Sequence, residues 1–354
     1  MAIYILNKKF ESIHIIDSFE SFIWTDRYLD IGDFELYTGF DSTLLAYASD
    51  GNYLVNTDSE HVMIIESRTT ETDSENGNHI KIVGRSLESI LTRRIVWTQT
   101  TIAGNLQNGI KKLITDAIIS PNIASRAIPN FVFEDSSDSE ITKLKIEAQF
   151  TGDDLYKAIK SMCEPYNLGF KITLNKNNQF VFKLYKGQDH SFSQDVNQYV
   201  IFSPKFDNIV DSNYLESSAN YKNVTLIGGE GEGSDRVFAT VGDISGLERR
   251  ELFTDARDLS TKNGDVTISA SEYQAQLQER GAAKLAENRK ELSFDGQVEA
   301  YNPFCYGEDF FMGDVVQLAN EYGMGGTARV TEFIRSYSDS GIKCYPTFMA
   351  IEEE

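Results

Sequence analysis

The first 97 residues constrain the fold most, because they break into short strand-like runs that no helix could accommodate. Ile3–Leu6, Ser12–Ile16, Phe34–Tyr37, Tyr53–Val55, His61–Ser67 and His79–Val83 are rich in β-branched and aromatic residues. Turn-forming clusters separate them: Asn7-Lys8-Lys9, Asp50-Gly51-Asn52 and Asn76-Gly77-Asn78. Many short strands at this spacing predict a barrel or sandwich. Leu87, Ile90 and Leu91 instead fit a short helix beginning near Ser86.

The middle of the chain changes period. Ile102, Leu106, Ile110, Leu113, Ile114, Ala117 and Ile118 follow a helical stripe that Pro121 ends. A Ser- and Asp-rich loop follows from Glu134 to Glu140. Thr151 reads as an N-cap, with Asp153 and Asp154 in the first turn, where the helix dipole favours acids. That helix runs through Leu155, Ile159, Met162 and Tyr166 toward Gly169. Phe170–Leu174 and Phe180–Tyr185 flank Asn175-Lys176-Asn177-Asn178, the pattern of a hairpin.

Strands return at Tyr199–Phe202, Asn223–Ile227 and Arg236–Val241. Ser269 with Glu272 makes a capping box for a helix reaching about Glu291. Phe294–Ala300, Asp314–Leu318, Ala328–Tyr337 and Gly341–Phe348 close the chain as strands. The expected fold class is α+β, mainly β: two barrel-like β domains with an inserted α+β domain. The expected division is 1–97, 98–198 and 199–350, the last carrying a helical insertion near 243–292. A faint echo links the ends. Gly51-Asn52-Tyr53-Leu54-Val55, then Ile65-Glu66-Ser67, matches Gly313-Asp314-Val315-Val316, then Ile334-Arg335-Ser336, although the spacings differ.

Charge narrows the functional classes. The net charge is -21 over 354 residues, and such a surface repels nucleic acid phosphates and anionic membranes. Charge alone favours simple solubility, and it is compatible with a pore through which DNA slides without sticking. Cys163, Cys305 and Cys344 are odd in number and widely spaced, so neither a disulfide framework nor a zinc pattern is expected, and a reducing compartment fits. The N-terminus lacks the pattern of a signal peptide, and no apolar run is long enough to span a bilayer.

Catalytic motifs are missing from the sequence. His14, His61, His79 and His190 sit in no metal-binding spacing, and there is no Gly-x-Ser-x-Gly elbow. Cys163 falls on an apolar helix face, the place of a structural thiol. Gly228-Gly229-Glu230-Gly231-Glu232-Gly233-Ser234-Asp235-Arg236 could cradle phosphate through its amides, but three carboxylates oppose an anion there. A flexible loop or interface turn between strands is the better reading. In Trp24–Leu36, a turn near Asp30–Gly32 folds one strand on the next, so that Arg27 pairs with Glu35 beside Trp24 and Phe34.

These clusters, in this order, resemble the baseplate hub family of siphophage tail tips, whose longer members carry the same segment at the N-terminus of the tail-associated lysin. The residues carrying the resemblance are Trp24, Arg27, Gly32, Phe34 and Glu35, then Gly84 and Arg85 in Val83–Ile95, and Gly229, Gly231, Gly233 and Arg236. Arg249–Phe253 with Asp255–Leu259 follow, and Gly313 and Asp314 close Tyr306–Val316. The resemblance implies a virion structural protein without cofactor or metal, a homotrimer whose two barrels per chain form a pseudo-sixfold ring. Its implied partners are the distal tail protein, the tail tube or tape measure, and a tail fibre or spike. DNA passes through without specific binding. Wall-degrading activity of longer relatives is not carried over, because the sequence closes at Ile351-Glu352-Glu353-Glu354 soon after the hub-like stretch. Two alternatives compete: a module recognising host cell-wall polysaccharide, and a peptidoglycan hydrolase. The contexts of Trp24 and Trp97 read as structural, which ranks the first below the hub.

Overall fold

The structure is a computed structural model that describes residues 1–75, 77–263, 266–297, 303–319 and 325–351. Asn76 of an expected turn and Val298–Ala300 of an expected strand lie outside the described residues, as do Glu352–Glu354. Among the described residues, strand takes 42% against 22% helix, so the fold is mainly β.

The N-terminal part contains β1 (Ile3–Leu6), β2 (Ser12–Ile16), β3 (Ser21–Arg27), β4 (Asp33–Gly39), a helix α1 (Ser42–Tyr47), β5 (Tyr53–Asn56), β6 (Val62–Asp73) and β7 (Gly77–Ser86). The strands lie in the order β3-β4-β7-β6-β5-β1-β2, each antiparallel to its neighbour. Alternation sets which face is buried. Phe22 and Trp24 of β3, Phe34 and Leu36 of β4, and Ile80 and Ile82 of β7 all point into one core. Each such side chain stabilises the fold by roughly 1.5–3 kcal/mol. A 3-10 turn, Leu87–Arg93, follows Ser86 where the sequence places a short helix.

The middle part carries β8 (Thr100–Asn105), α2 (Leu106–Ile114), β9 (Phe131–Glu134), α3 (Ser139–Thr142), β10 (Lys145–Phe150), α4 (Leu155–Cys163), β11 (Gly169–Leu174) and β12 (Phe180–Tyr185). β8 pairs with β10, and β12 lies between β9 and β11. The apolar faces of α2 and α4 share a core with these strands and with Leu87, Ile90 and Leu91. Three details differ from the sequence reading. Ile102 belongs to β8, and α2 begins only after Asn105, whose side chain caps the Asn108 N–H. Asp154, not Thr151, caps α4 by accepting the Lys157 N–H, while Asp153 accepts from Thr151. The helix ends on left-handed Asn167 (φ 48°) rather than at Gly169, which opens β11.

The C-terminal part holds β13 (Ile201–Phe202), β14 (Val210–Ser217), β15 (Val224–Gly228), β16 (Phe238–Val241), β17 (Glu251–Asp255), β18 (Lys262–Asn263), β19 (Val266–Thr267), α5 (Ala270–Ala286), β20 (Glu291–Gln297), β21 (Val315–Ala319), β22 (Gly325–Ser338) and β23 (Gly341–Ala350). Ser269 caps α5 through the Glu272 N–H, and the helix ends at Ala286, short of the expected Glu291. β16-β15-β17 pair among themselves and pack on α5 around Ile227, Ala256, Leu259 and Leu277. They form a separate small unit. β18 and β19 pair only with each other, and β13, β14 and β20 to β23 join the N-terminal strands in a single 13-stranded sheet, with β14-β20-β23-β22 abutting β3. A second core, with Phe202, Phe294, Phe310, Phe333 and Phe348, fills the C-terminal half.

The two halves of this sheet repeat a three-strand meander and the strand pair beside it. β5-β6-β7 and β21-β22-β23 are both meanders, and each long central strand carries one bulge, between Ile65 and Ser67 or between Val330 and Glu332. Beyond the bulge both run through seven paired residues to the turn, Ser67–Asp73 and Glu332–Ser338. Upstream the match continues. Gly51 N–H bonds Ile65 C=O and Ile65 N–H bonds Asn52 C=O; Gly313 N–H bonds Val330 C=O and Val330 N–H bonds Asp314 C=O. Gly51 and Gly313 both have positive φ, 78° and 90°. On the other side, Trp24 faces Phe34 as Tyr214 faces Phe294. The faint sequence echo is thus a structural duplication, with Gly51 at the place of Gly313.

Candidate functional site

The feature that turns two repeated units into one body is the seam between β22 and β3. Seven residue pairs join them, from Glu332 opposite Arg27 to Ser338 opposite Ser21. A buried ion pair crosses the seam. Arg335 Nη1 lies 3.1 Å from Asp26 Oδ2, with the side chains 8% and 1% exposed. Asp26 also accepts from Trp24 Nε1 at 2.9 Å and from the Ser59 hydroxyl. The Arg335 guanidinium sits over Tyr306 and Phe333 at 4.9 and 5.1 Å. Burial of this kind requires such partners, since an uncompensated charge in the interior is costly.

Arg27 bridges the seam at its other end, but not as the sequence reading expects. In the β3–β4 register Glu35 faces Ile23, four residues from Arg27, and Glu35 pairs with Lys81 instead. Arg27 binds Asp33, the Ile31 carbonyl at 2.8 Å and, across the seam, Glu332 at 2.5 Å. Trp24 and Phe34 stack on each other across β3 and β4. Gly32 exchanges hydrogen bonds with Ser86. Arg85, at the end of β7, holds Glu66 with two hydrogen bonds of 2.6 and 2.9 Å.

Tyr28, just past β3, ties the seam to the rest of the chain. It is 1% exposed and donates to the Asn167 carbonyl. Its ring presses on Gly313, where an added Cβ would lie 2.2 Å from the ring, and on Gly169 in the same way. Gly84 is equally confined, since its Cβ would fall 1.9 Å from the Ile64 carbonyl oxygen. Asp314 is buried and accepts the Gln188 and Phe311 N–H groups, and burial raises its pKa. Most of the predicted residues therefore gather along the seam and its flanks.

The glycine-rich loop stands apart, in the small unit with α5. Gly228 and Gly229 hold the Arg236 guanidinium, which donates to their carbonyls and to Asp255, while Gly231 packs on the Asp235 backbone and Gly233 borders open space. Glu230 is tied to Thr261, whose hydrogen bonds lower its pKa, and the Glu230 N–H bonds the Tyr273 hydroxyl. The loop is a turn between β15 and β16 organised around its own arginine, which leaves no cradle for an anion. Among the described residues, no group of three or more His, Cys, Asp or Glu side chains could hold a metal ion. Nor is any described helix long and apolar enough to cross a membrane.

Sequence reasoning missed Asp26, Arg335, Tyr28 and Glu332 as seam residues. The available signal was a charge on the inward phase of a strand: Arg335 lies between Phe333 and Tyr337, all three buried.

The model of the siphovirus ReqiPepy6 Gp37-like proteins matches residues 2–348. The chain belongs to this family. No curated protein matches it. The fold is shared with three solved structures. A tail protein from Neisseria meningitidis MC58 has 15% identity and a TM-score of 0.59, over 99% of this chain and 96% of that one. The 43 kDa tail protein of prophage MuSo2 from Shewanella oneidensis has 12% identity and a TM-score of 0.59, over 98% of each chain. Prophage tail protein gp18 from Listeria monocytogenes EGD-e has 12% identity and a TM-score of 0.55, over 100% of this chain and 96% of that one. For this Gp37-like family member, the near-complete coverage in both directions means that the whole architecture is shared, both β units and the segments between them included.

Proposed function

We propose that the chain is a structural baseplate hub at the phage tail tip. Three copies close a ring that joins the sixfold tail tube to the threefold tip and caps or gates the DNA channel. The observation that carries this reading is the duplication. Three chains with two equivalent β units each offer six near-equivalent surfaces to a sixfold tube and threefold symmetry to whatever lies beyond. The similarity to solved tail proteins, two of them from prophages, supports it.

The role is mechanical and electrostatic, with no catalysis by this chain. A net charge of -21 per chain leaves phosphates without the cations that tight binding needs, so DNA slides past. The partners are the distal tail protein, the tail tube or tape measure and a fibre or spike, and the site is the virion tail tip after assembly in the host cytoplasm. The division at 1–97, 98–198 and 199–350 belongs to this proposal. A solution mass near 120 kDa, about three times the 39.9 kDa chain, with ring-shaped particles in negative stain, is the expected result. A dimer without threefold views, or an assembled ring with a net basic lumen, would overturn the reading.

A further inference from the structure

Among the described residues, two strand edges lack the neighbouring strand that their counterparts in the other repeat have, and those counterparts form the seam. The seam joins the far half of β22 (Glu332–Ser338) to β3. The repeat places Ser67–Asp73 of β6 where Glu332–Ser338 stand, seven residues past the bulge in both. It places β14 where β3 stands, since Tyr214 faces Phe294 as Trp24 faces Phe34. Yet among the described strands β14 pairs only with β20, and Ser67–Thr72 only with β7. Ser67–Thr72 are all exposed, and Leu215 of β14 is 38% exposed, whereas Thr25 at the equivalent place in β3 is 2% exposed. Open edges of this length recruit another strand.

The geometry points to a head-to-tail contact between copies of this chain, in which β14 of a second copy adds antiparallel to the open edge of β6. The register is dictated by the seam. Glu332 opposite Arg27 becomes Ser67 opposite the second copy's Ser217, and the ladder runs on to Glu71 opposite its Asn213. This register sets Arg68 directly opposite Glu216, an opposite-charge pair on the strand face where the seam carries Asp26 and Arg335. Thr69 falls opposite Leu215 and covers the exposed leucine. Each copy supplies one edge of each kind, so the contact is heterologous, and it closes a ring when the unit-to-unit rotation of the seam is repeated between chains. The number of copies rests on the hub reading; the pairing itself rests on the registers.

Cysteine cross-linking of the full chain tests the register. Thr69→Cys with Leu215→Cys places two thiols on one face of facing strands, within disulfide reach. Mild oxidation should shift the band on a non-reducing gel from one chain to three, from 39.9 kDa to about 120 kDa. Arg68→Cys with Leu215→Cys puts the thiols on opposite faces and should stay at one chain, as should the unsubstituted protein with its own three cysteines. A three-chain particle in solution in which the thiols introduced at positions 69 and 215 do not join would overturn the edge pairing and leave the ring reading standing. Equal cross-linking of the two double variants would overturn the register. Monomers that never cross-link at any concentration would overturn the pairing together with the hub reading.

Discussion

The residues with most at stake are those whose charge or shape the seam encloses. Asp26→Ala strands the Arg335 guanidinium in the interior, and a loss of about 3–5 kcal/mol in urea unfolding is expected. Pairing it with Arg335→Met should recover a good part of that loss, because the second change removes the orphaned charge. At the seam's outer end, a double-mutant cycle of Arg27 with Glu332 should show coupling of about 1 kcal/mol, and the cycle with Glu35 none beyond error. Gly313→Ala meets a left-handed backbone and the Tyr28 ring at once, so a loss of more than about 2 kcal/mol is expected. Alanine in place of Gly233, with open space around it, should show only the backbone part of that cost.

At the scale of elements, α5 illustrates how a helix legible from its cap is placed by groups that are not. Ser269 and Glu272 mark its start. It packs against β10 and the short turn Glu164–Tyr166, where the Glu279 carboxylate accepts from the Tyr166 hydroxyl near Glu147. Burial raises the Glu279 pKa above its usual 4.5, with Glu147 adding to the shift. A raised pKa in the folded chain means stability that is full below the unfolded value and lost as pH rises through the folded one. Glu279→Gln should therefore raise the melting temperature at neutral pH, and the two proteins should converge below the ordinary carboxylate range. A variant that differs equally at both pH values would show that packing, not charge, sets the effect.

At the scale of the whole molecule, the acidic surface opposes compactness through self-repulsion. Raising salt from about 20 mM to about 500 mM shortens the range of that repulsion, so thermal stability should rise. In the same series, DNA should run unretarded in a gel at the lowest salt, because no counterion release from phosphate favours binding. The sheet that spans both halves gives a further expectation for unfolding. The seam is built from backbone pairing plus buried side chains of both units, so the halves should melt together rather than in two steps.

The sequence by itself determined the elements. Runs rich in β-branched and aromatic residues such as Ile3–Leu6 and Ser12–Ile16, and the helices begun at Ser269 and stopped before Pro121, follow from local preferences that need no distant partner. It also held the duplication in faint form, since Gly51 and Gly313 answer the same backbone demand. Only the tertiary structure decided which strands met. Pairing partners of Arg27, the burial of Asp26 with Arg335 and the separation of β15–β17 from the large sheet depend on registers between residues up to 309 positions apart. A strand's side chains fix which of its faces is buried, but its hydrogen-bonding edges are the same backbone groups in every strand. The choice among edges is therefore left to the packing of whole units.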